Sequence, residues 1–171
     1  MNIRFAGFGG QGIILSGVIF GWAALLDGKN ALQTQSYGSS ARGGACKCDV
    51  IILDTYIYEL EPDKNDILVS FSQVSFNKFR NSLKPDGILF YDNDLVKIDS
   101  FSSKSFSISA TDIVFKEFKQ KIYSNMLMLG FVTAKTNIIN PEAVEKSIKY
   151  YVPPKTVDIN LSAFRLGMSF C

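Results

Sequence analysis

Residues 2 to 26 constrain the fold more than any other stretch, because they read as a buried strand, a glycine turn and an apolar helix in immediate succession. Asn2 to Ala6 places apolar side chains alternately, at Ile3 and Phe5, as an opening strand does, and runs straight into Gly7-Phe8-Gly9-Gly10-Gln11-Gly12. A helix is predicted from Gln11 or Gly12. Its apolar positions Ile14, Leu15, Val18, Ile19, Trp22 and Leu26 recur every three to four residues, and Asp27-Gly28 stops it. Gly7, Gly9 and Gly12 therefore fit G-x-G-x-x-G at a strand-to-helix junction, the context that gives the pattern physical meaning. Glycine permits a tight turn and the close approach of a ligand. The helix start offers unpaired N–H groups and roughly half a positive charge to an anion.

A nicotinamide site on this turn would also need Asp or Glu about twenty residues further on, where the second strand ends, to hold ribose hydroxyls. The chain reads Leu32-Gln33-Thr34-Gln35-Ser36 there. A free-standing nucleotide-binding module or NAD-dependent dehydrogenase is thus a competing reading that lacks one of its parts. A plainer alternative is that the glycines only let the helix pack closely on the sheet, as in a purely structural assembly subunit.

Beyond the first helix, strand and helix signals alternate. Asn30 to Gln35, Val50 to Leu53, Ile67 to Val69, Ile88 to Tyr91 and Ser105 to Ile108 read as strands, and Val74 to Leu83 as a helix. Lys84-Pro85-Asp86-Gly87 reads as a turn between that helix and the next strand. A helix capped near Ser109 or Thr111 follows, then an apolar helix over Ser124 to Ala134. Asn140-Pro141-Glu142 opens another, with a capping asparagine and proline at its first position. Pro153-Pro154 breaks the chain before a last helix at Asp158 to Met168. Parallel neighbours need crossover connections, so the expected fold is α/β: a doubly wound, Rossmann-like, mainly parallel sheet with helices on both faces. One domain over residues 1–171 is expected, with 155–171 as a C-terminal docking helix. Ligands of such sheets meet the carboxyl ends of the strands, where both glycine-rich stretches should emerge.

Composition removes several function classes. Lys+Arg 18 nearly balances Asp+Glu 16 without a basic stripe, so no nucleic-acid partner is expected. The apolar run Ile13 to Leu26 falls short of the roughly 18 residues a membrane span needs, and Ser16, Gly17 and Gly21 interrupt it. No membrane association is expected, and three cysteines without a leader pattern point to the cytoplasm. Histidine is absent, which removes the usual proton-transfer side chain and a common metal ligand. No catalytic residue is assigned. Cys46 and Cys48 alternate onto one face of a strand, and two thiolates would leave a metal site incomplete, so they read as small buried residues. Asp92, Asn93 and Asp94 follow a strand end and read as solvated loop residues rather than a cation site. Asn125 reads as a helix cap, with orientation of a neighbouring loop or ligand as the second possibility.

A second cluster, Tyr37-Gly38-Ser39-Ser40-Ala41-Arg42-Gly43-Gly44, joins an aromatic ring, hydroxyls and a guanidinium to glycines that expose the backbone. Few purely structural loops need that combination. GFGGQG, SYGSSARGG and CKCDVIIL, read together, resemble the gamma subunit of 2-oxoacid:ferredoxin oxidoreductases. The resemblance continues through LKPDGILFYDNDLV, Ser109 to Asp112, the Asn125-Met126 helix and NPEAVEKSI. This chain departs from the usual pattern at Ser39 and Ser40, where proline and an acidic residue are common, and at Cys46 and Cys48, where small hydroxyl residues are frequent.

The resemblance implies oxidative decarboxylation of a 2-oxoacid, leaning to 2-oxoglutarate, with coenzyme A as cosubstrate and ferredoxin or flavodoxin as electron acceptor. It places thiamine diphosphate, magnesium and an iron-sulfur cluster in companion alpha, beta and delta subunits. This chain has neither a Gly-Asp-Gly segment to seat thiamine's diphosphate nor four cysteines for a cluster. No cofactor or metal is expected on the chain alone. The candidate cofactor-contacting residues are Gly7, Gly9, Gly10, Gln11, Gly12, Tyr37, Arg42, Gly43 and Gly44. They would line a shared active-site entrance for the phosphate or pantetheine parts of coenzyme A, with Arg42 either as the charged contact or as a pair across a subunit interface.

Overall fold

The computed structural model describes residues 1–36, 44–58, 60 and 63–170. β1 (Asn2–Phe8) leads into α1 (Ile13–Leu26), followed by β2 (Asn30–Ser36), β3 (Ala45–Leu53) and β4 (Asn65–Ser70). Next come α2 (Gln73–Phe79), β5 (Leu83–Asp92), β6 (Lys104–Ile108), α3 (Ala110–Phe118), α4 (Ser124–Thr136), α5 (Pro141–Tyr151) and α6 (Val157–Met168). The strands form a six-stranded sheet in the order β2-β3-β1-β4-β5-β6. Among the described residues β3 alone runs against the others, pairing antiparallel with both β1 and β2, so the sheet is mainly parallel as expected. β2 and β3, consecutive in the chain, lie side by side and antiparallel rather than as parallel neighbours.

Alternation divides the strand side chains between two layers. Ile3, Phe5, Ile67, Val69 and Phe90 enter a large core with α1, α4, α5 and α6, whereas Ala6, Leu68 and Leu89 meet Phe76 of α2, Leu83 and Val96 on the other face. Phe90 stacks on Phe106 at 5.4 Å between centroids and meets Phe131 of α4 edge-on at 5.8 Å. α1 approaches β3 closely because a Cβ at Gly17 would overlap the Cys48 sulfur. No helix among the described residues is long and apolar enough to cross a membrane.

Several local sequence signals have the structure expected of them. Asn140 accepts from the Glu142 N–H at 2.9 Å with Pro141 in the first turn of α5, and Asp27 caps α1. Lys84 to Gly87 differs from expectation. It is not a turn between helix and strand but an irregularity inside β5, where Asn65 faces Leu83 and Ile67 faces Ile88. The chain already enters the sheet at Leu83, whose buried side chain lies against Gly87, and the extra residues bulge outward while pairing resumes. The predicted helix accordingly ends at Phe79, with a tighter turn over Arg80–Ser82.

Asp92 is also not a solvated loop residue. It is fully buried, and its carboxylate accepts from the Thr111 N–H at 3.1 Å, the Thr111 hydroxyl at 2.5 Å and the Asp94 N–H at 3.1 Å. It thereby satisfies the start of α3, which Ser109 leaves without a side-chain cap. Burial pushes its pKa up, and the hydrogen bonds from Thr111 and Asp94 only partly oppose that. A carboxyl with a raised folded-state pKa favours the folded state most when protonated, and that contribution is lost as pH rises through the raised value. Wild type should therefore lose stability relative to Asp92→Asn as pH rises from acid to neutral. Urea unfolding of both proteins across that range checks it, and a difference that grows in the opposite direction would refute the account.

Candidate functional site

The glycine turn lies where β1 ends and α1 begins, at the carboxyl edge of the parallel strands, and its glycines divide into two kinds. A Cβ at Gly7 would press on the Gln11 amide oxygen at 2.6 Å and on Ile13 at 2.7 Å, and one at Gly12 would overlap the Asn125 amide. These two positions are glycine for packing. Among the described residues an added Cβ at Gly9 or Gly10 would meet nothing within 4 Å, so no described neighbour accounts for them by packing. Gly10 and Gly12 also adopt φ of +91° and +73°, which a residue with a Cβ rarely tolerates. The tight-packing reading thus explains Gly7 and Gly12 and leaves Gly9 and Gly10 facing no described side chain.

Two amides brace this turn from inside. Gln11 accepts from the Phe8 N–H at 2.7 Å and donates to the Phe71 carbonyl at 2.8 Å, tying the turn to the end of β4. Its side chain is already engaged. Asn125 is buried at the start of α4 and donates to the Gly12 carbonyl at 3.4 Å, whereas α4 itself has no side-chain cap. Orienting a neighbouring loop, rather than capping, is what the structure gives Asn125 to do.

Gly10 separates two concave spaces. One, of about 280 Å³, lies between Gly12, Leu15, Tyr123, Asn125, Val152, Pro153 and Asn160 and has no charged residue in its lining among the described residues. The other, of about 380 Å³, is bounded by Gln11, Leu95, Thr111, Lys121, Ile122 and Ser124. Lys121 is the one cation in that second lining among the described residues. The sequence does not single out Asn160, Val152 or Lys121. They reach the turn only because tertiary folding brings residues 120–123, the end of α5 and α6 beside Gly10, Gly12 and Leu15, more than a hundred residues earlier in the chain.

The second cluster is anchored at the same edge. Ala45 pairs with Phe8, and Lys47 faces Gly7's neighbour Ala6 on one side and Ser36 on the other. Gly44, half-buried at the far end of that cluster, therefore lies beside the first turn, and Ser36, which precedes the cluster, lies one strand further out. Tyr37, Arg42 and Gly43 lie outside the described residues. The strand order also separates this site from a dinucleotide site: β3 stands between β1 and β2, so the end of β2, where a ribose-binding carboxylate would sit, is one strand removed from the turn.

Cys46 and Cys48 are both buried, the first donating weakly to the Gly7 carbonyl at 3.3 Å and the second accepting from the Gln33 amide at 3.0 Å. Burial pushes the Cys46 thiol up and the Cys48 thiol up to about 11. Both are therefore protonated at neutral pH rather than held as reactive thiolates. Among the described residues no three His, Cys, Asp or Glu side chains gather as a metal site. The donor set here does not fit an iron-sulfur cluster or the magnesium of a bound diphosphate.

Residues 2–170 match the family described as Pyruvate ferredoxin/flavodoxin oxidoreductase. The 2-oxoglutarate synthase subunit KorC of Methanocaldococcus jannaschii is 46% identical over 170 residues, covering 97% of this chain and 91% of that protein. The gamma subunit of a keto/oxoacid ferredoxin oxidoreductase from Geobacter sulfurreducens has TM-score 0.87 at 38% identity, over 98% of this chain and 96% of its own. A 2-oxoglutarate:ferredoxin oxidoreductase from Magnetococcus marinus, solved with 2-oxoglutarate, coenzyme A and succinyl-CoA bound, shares the fold with TM-score 0.88. Its identity is 23%, over 99% of this chain and 30% of that one.

Proposed function

Because this chain belongs to the pyruvate ferredoxin/flavodoxin oxidoreductase family, we propose that it is the gamma subunit of a 2-oxoglutarate:acceptor oxidoreductase. The complex would oxidatively decarboxylate 2-oxoglutarate, transfer the succinyl group to the thiol of coenzyme A, release carbon dioxide and pass the electrons to ferredoxin or flavodoxin. The observation that carries this reading is the likeness to a 2-oxoglutarate synthase subunit along nearly the full length of both chains. Thiamine diphosphate, magnesium and the iron-sulfur cluster belong, in this proposal, to companion alpha, beta and delta subunits. They supply the carbonyl chemistry and the electron path. The complex is placed in the cytoplasm.

The chain's own part is to bind and orient coenzyme A. Gly9 and Gly10 bring backbone to an open surface, and the uncharged space beside Asn125 suits a neutral, amide-bearing arm. Gln11 and Asn125 keep the turn in shape, so Gln11 acts by position rather than by touching ligand. Tyr37, Arg42, Gly43 and Gly44 complete the entrance, with Arg42 meeting phosphate. A charge-assisted hydrogen bond contributes about 1.5 to 3 kcal/mol, so Arg42→Ala should raise KM for coenzyme A roughly tenfold or more while the oxoacid KM stays put. Unchanged coenzyme A kinetics in the reconstituted complex would remove Arg42 from this role.

Purifying the complex from its native cells and assaying it against a panel of 2-oxoacids tests the reading as a whole. Turnover of 2-oxoglutarate above pyruvate, branched-chain oxoacids and indolepyruvate is expected. Preference for one of the others would replace the substrate, and tight NAD or FAD binding by the lone chain would replace the function.

A further inference from the structure

α1 is apolar on every side, and the fold covers only part of it. Its 14 residues, Ile13–Leu26, include no charged side chain. A helix of that kind is ordinarily enclosed all round. Here Ile19, Phe20, Ala23 and Ala24 are buried in the core, whereas Ile14, Val18, Trp22 and Leu25 recur every three to four residues as an outer stripe. Ile14 and Val18 are half-buried, and Trp22 and Leu25 are 37% and 45% exposed. Tyr150 of α5 stacks on Trp22 at 5.8 Å and is itself 71% exposed, so the rings extend the stripe instead of closing it.

This stripe lies beside an edge of the sheet. β2 is the terminal strand, and among the described residues nothing pairs with its outer side. Edge strands are commonly protected by lysine, proline, a bulge or shortness. β6, the other edge, is five residues long and opens with Lys104. β2, Asn30-Ala31-Leu32-Gln33-Thr34-Gln35-Ser36, has no such device and runs in unbroken register with β3. A groove of about 160 Å³ separates it from α1 and α5, lined by Val18, Trp22, Leu25, Ala31, Gln33 and Tyr151. The charges at the turn between α1 and β2 are paired, Asp27 with Lys29 at 3.7 Å, and Lys146, one turn before Tyr150 on α5, is exposed.

We propose that β2 and the outer stripe of α1 form an interface with a second copy of this chain, joining the two six-stranded sheets into one. The sequence of β2 selects that occupant. Two-fold pairing sets the strand antiparallel to itself, and because side chains alternate between faces it must be centred on a residue. Centred on Gln33, it places Asn30 opposite Ser36, Ala31 opposite Gln35 and Leu32 opposite Thr34. The polar side chains of β2 are amides and hydroxyls, which both donate and accept, so the strand meets its own copy with no charge repelled. The same axis, perpendicular to the sheet, puts both α1 stripes on one side of the joined sheet and facing each other, which removes their apolar area from water. Ser36 of one copy then lies beside Asn30 of the other, so the two glycine turns point to opposite ends and stay free for ligand. This association goes beyond the reading of the chain as an oxidoreductase subunit and holds whichever 2-oxoacid is the substrate.

Sedimentation equilibrium of the full chain over a concentration series reads the association directly. Wild type should form a reversible dimer. Leu25→Glu on α1 and Thr34→Lys on β2 should each weaken it at least roughly tenfold, since each sets a charge against its own copy across the axis. Val74→Lys on α2, an apolar side chain of similar exposure away from this surface, should leave it unchanged. Mixing Thr34→Lys with Thr34→Glu should restore a one-to-one dimer, because position 34 of one copy lies diagonal to position 34 of the other. Recovery on mixing also shows that both variants are folded. A wild-type chain that stays monomeric overturns the proposal, as does a dimer that neither Leu25→Glu nor Thr34→Lys weakens. Binding of a companion subunit that both variants abolish, with the chain alone a monomer, assigns the surface to that companion and overturns it too. None of these outcomes bears on the oxoacid, which the substrate panel tests separately.

Discussion

Gly167→Ala is expected to lower the unfolding midpoint by roughly 10 °C, although alanine is the better helix former by about 1 kcal/mol. α4 and α6 lie against each other at a reciprocal contact of two glycines. A Cβ at Gly167 would overlap the Leu127 carbonyl oxygen, and one at Gly130 would overlap the carbonyl oxygen of Phe164. Both obstacles are backbone, which cannot rotate away as a side-chain tip would. Overpacking costs about 1 to 3 kcal/mol and occasionally more, and a contact with helix backbone belongs at the upper end. Gly9→Ala, whose added methyl meets no described residue, is the control for stability. Calorimetry of the three proteins distinguishes the cases, and a rise in midpoint for Gly167→Ala would mean that the helices are not in this contact. The consequence reaches function, since α4 carries Asn125 and α6 carries Asn160 to the space beside the turn.

The second large effect concerns a charge cluster under α2. Arg4 of β1 faces Asp49 of β3 directly across the pair and holds it by two bonds, 2.6 Å from Nε and 2.8 Å from Nη2. Lys47 adds a third contact at 2.8 Å, and the guanidinium lies 5.2 Å from the Phe79 ring centre. Both Arg4 and Asp49 are buried. Removing one partner of a buried pair costs about 3 to 5 kcal/mol because the other charge stays behind without compensation. The two ends are not equivalent. Asp49→Leu strands a buried cation and should incur that full loss, whereas Arg4→Met leaves Asp49 with Lys47 and should cost about half as much. The double substitution should recover much of the Asp49→Leu loss. Urea unfolding ranks the three, and a larger loss for Arg4→Met would show that Lys47 does not hold Asp49.

The elements that sequence made legible are those with local causes. β1, the glycine turn, α1 with its Asp27 stop and α5 with its Asn140 cap follow from periodicity, backbone freedom and caps within a few residues. The elements misread have distant causes. Lys84 to Gly87 carries every mark of a turn, yet β4 draws Leu83 into the sheet ahead of it. Asp92 looks like a surface carboxylate until α3 arrives from nineteen residues further on and uses it as a cap. Asn125 has the composition of a cap and the job of a brace, because the group it meets is 113 residues earlier in the chain.

For this protein the order of residues by itself determined that a strand would end in a glycine turn at the start of an apolar helix, that the sheet would be mainly parallel, and which family pattern the two glycine stretches carry. Those properties depend on side-chain type and spacing over short distances. Only the tertiary structure decided that Gly7 and Gly12 are spent on packing while Gly9 and Gly10 remain open, that Gln11 is engaged inward, and that β3 separates β1 from the end of β2. The reason is that a glycine states only what the backbone is permitted to do. Whether the permission is used by a neighbouring side chain or left for a ligand depends on what the rest of the fold brings alongside.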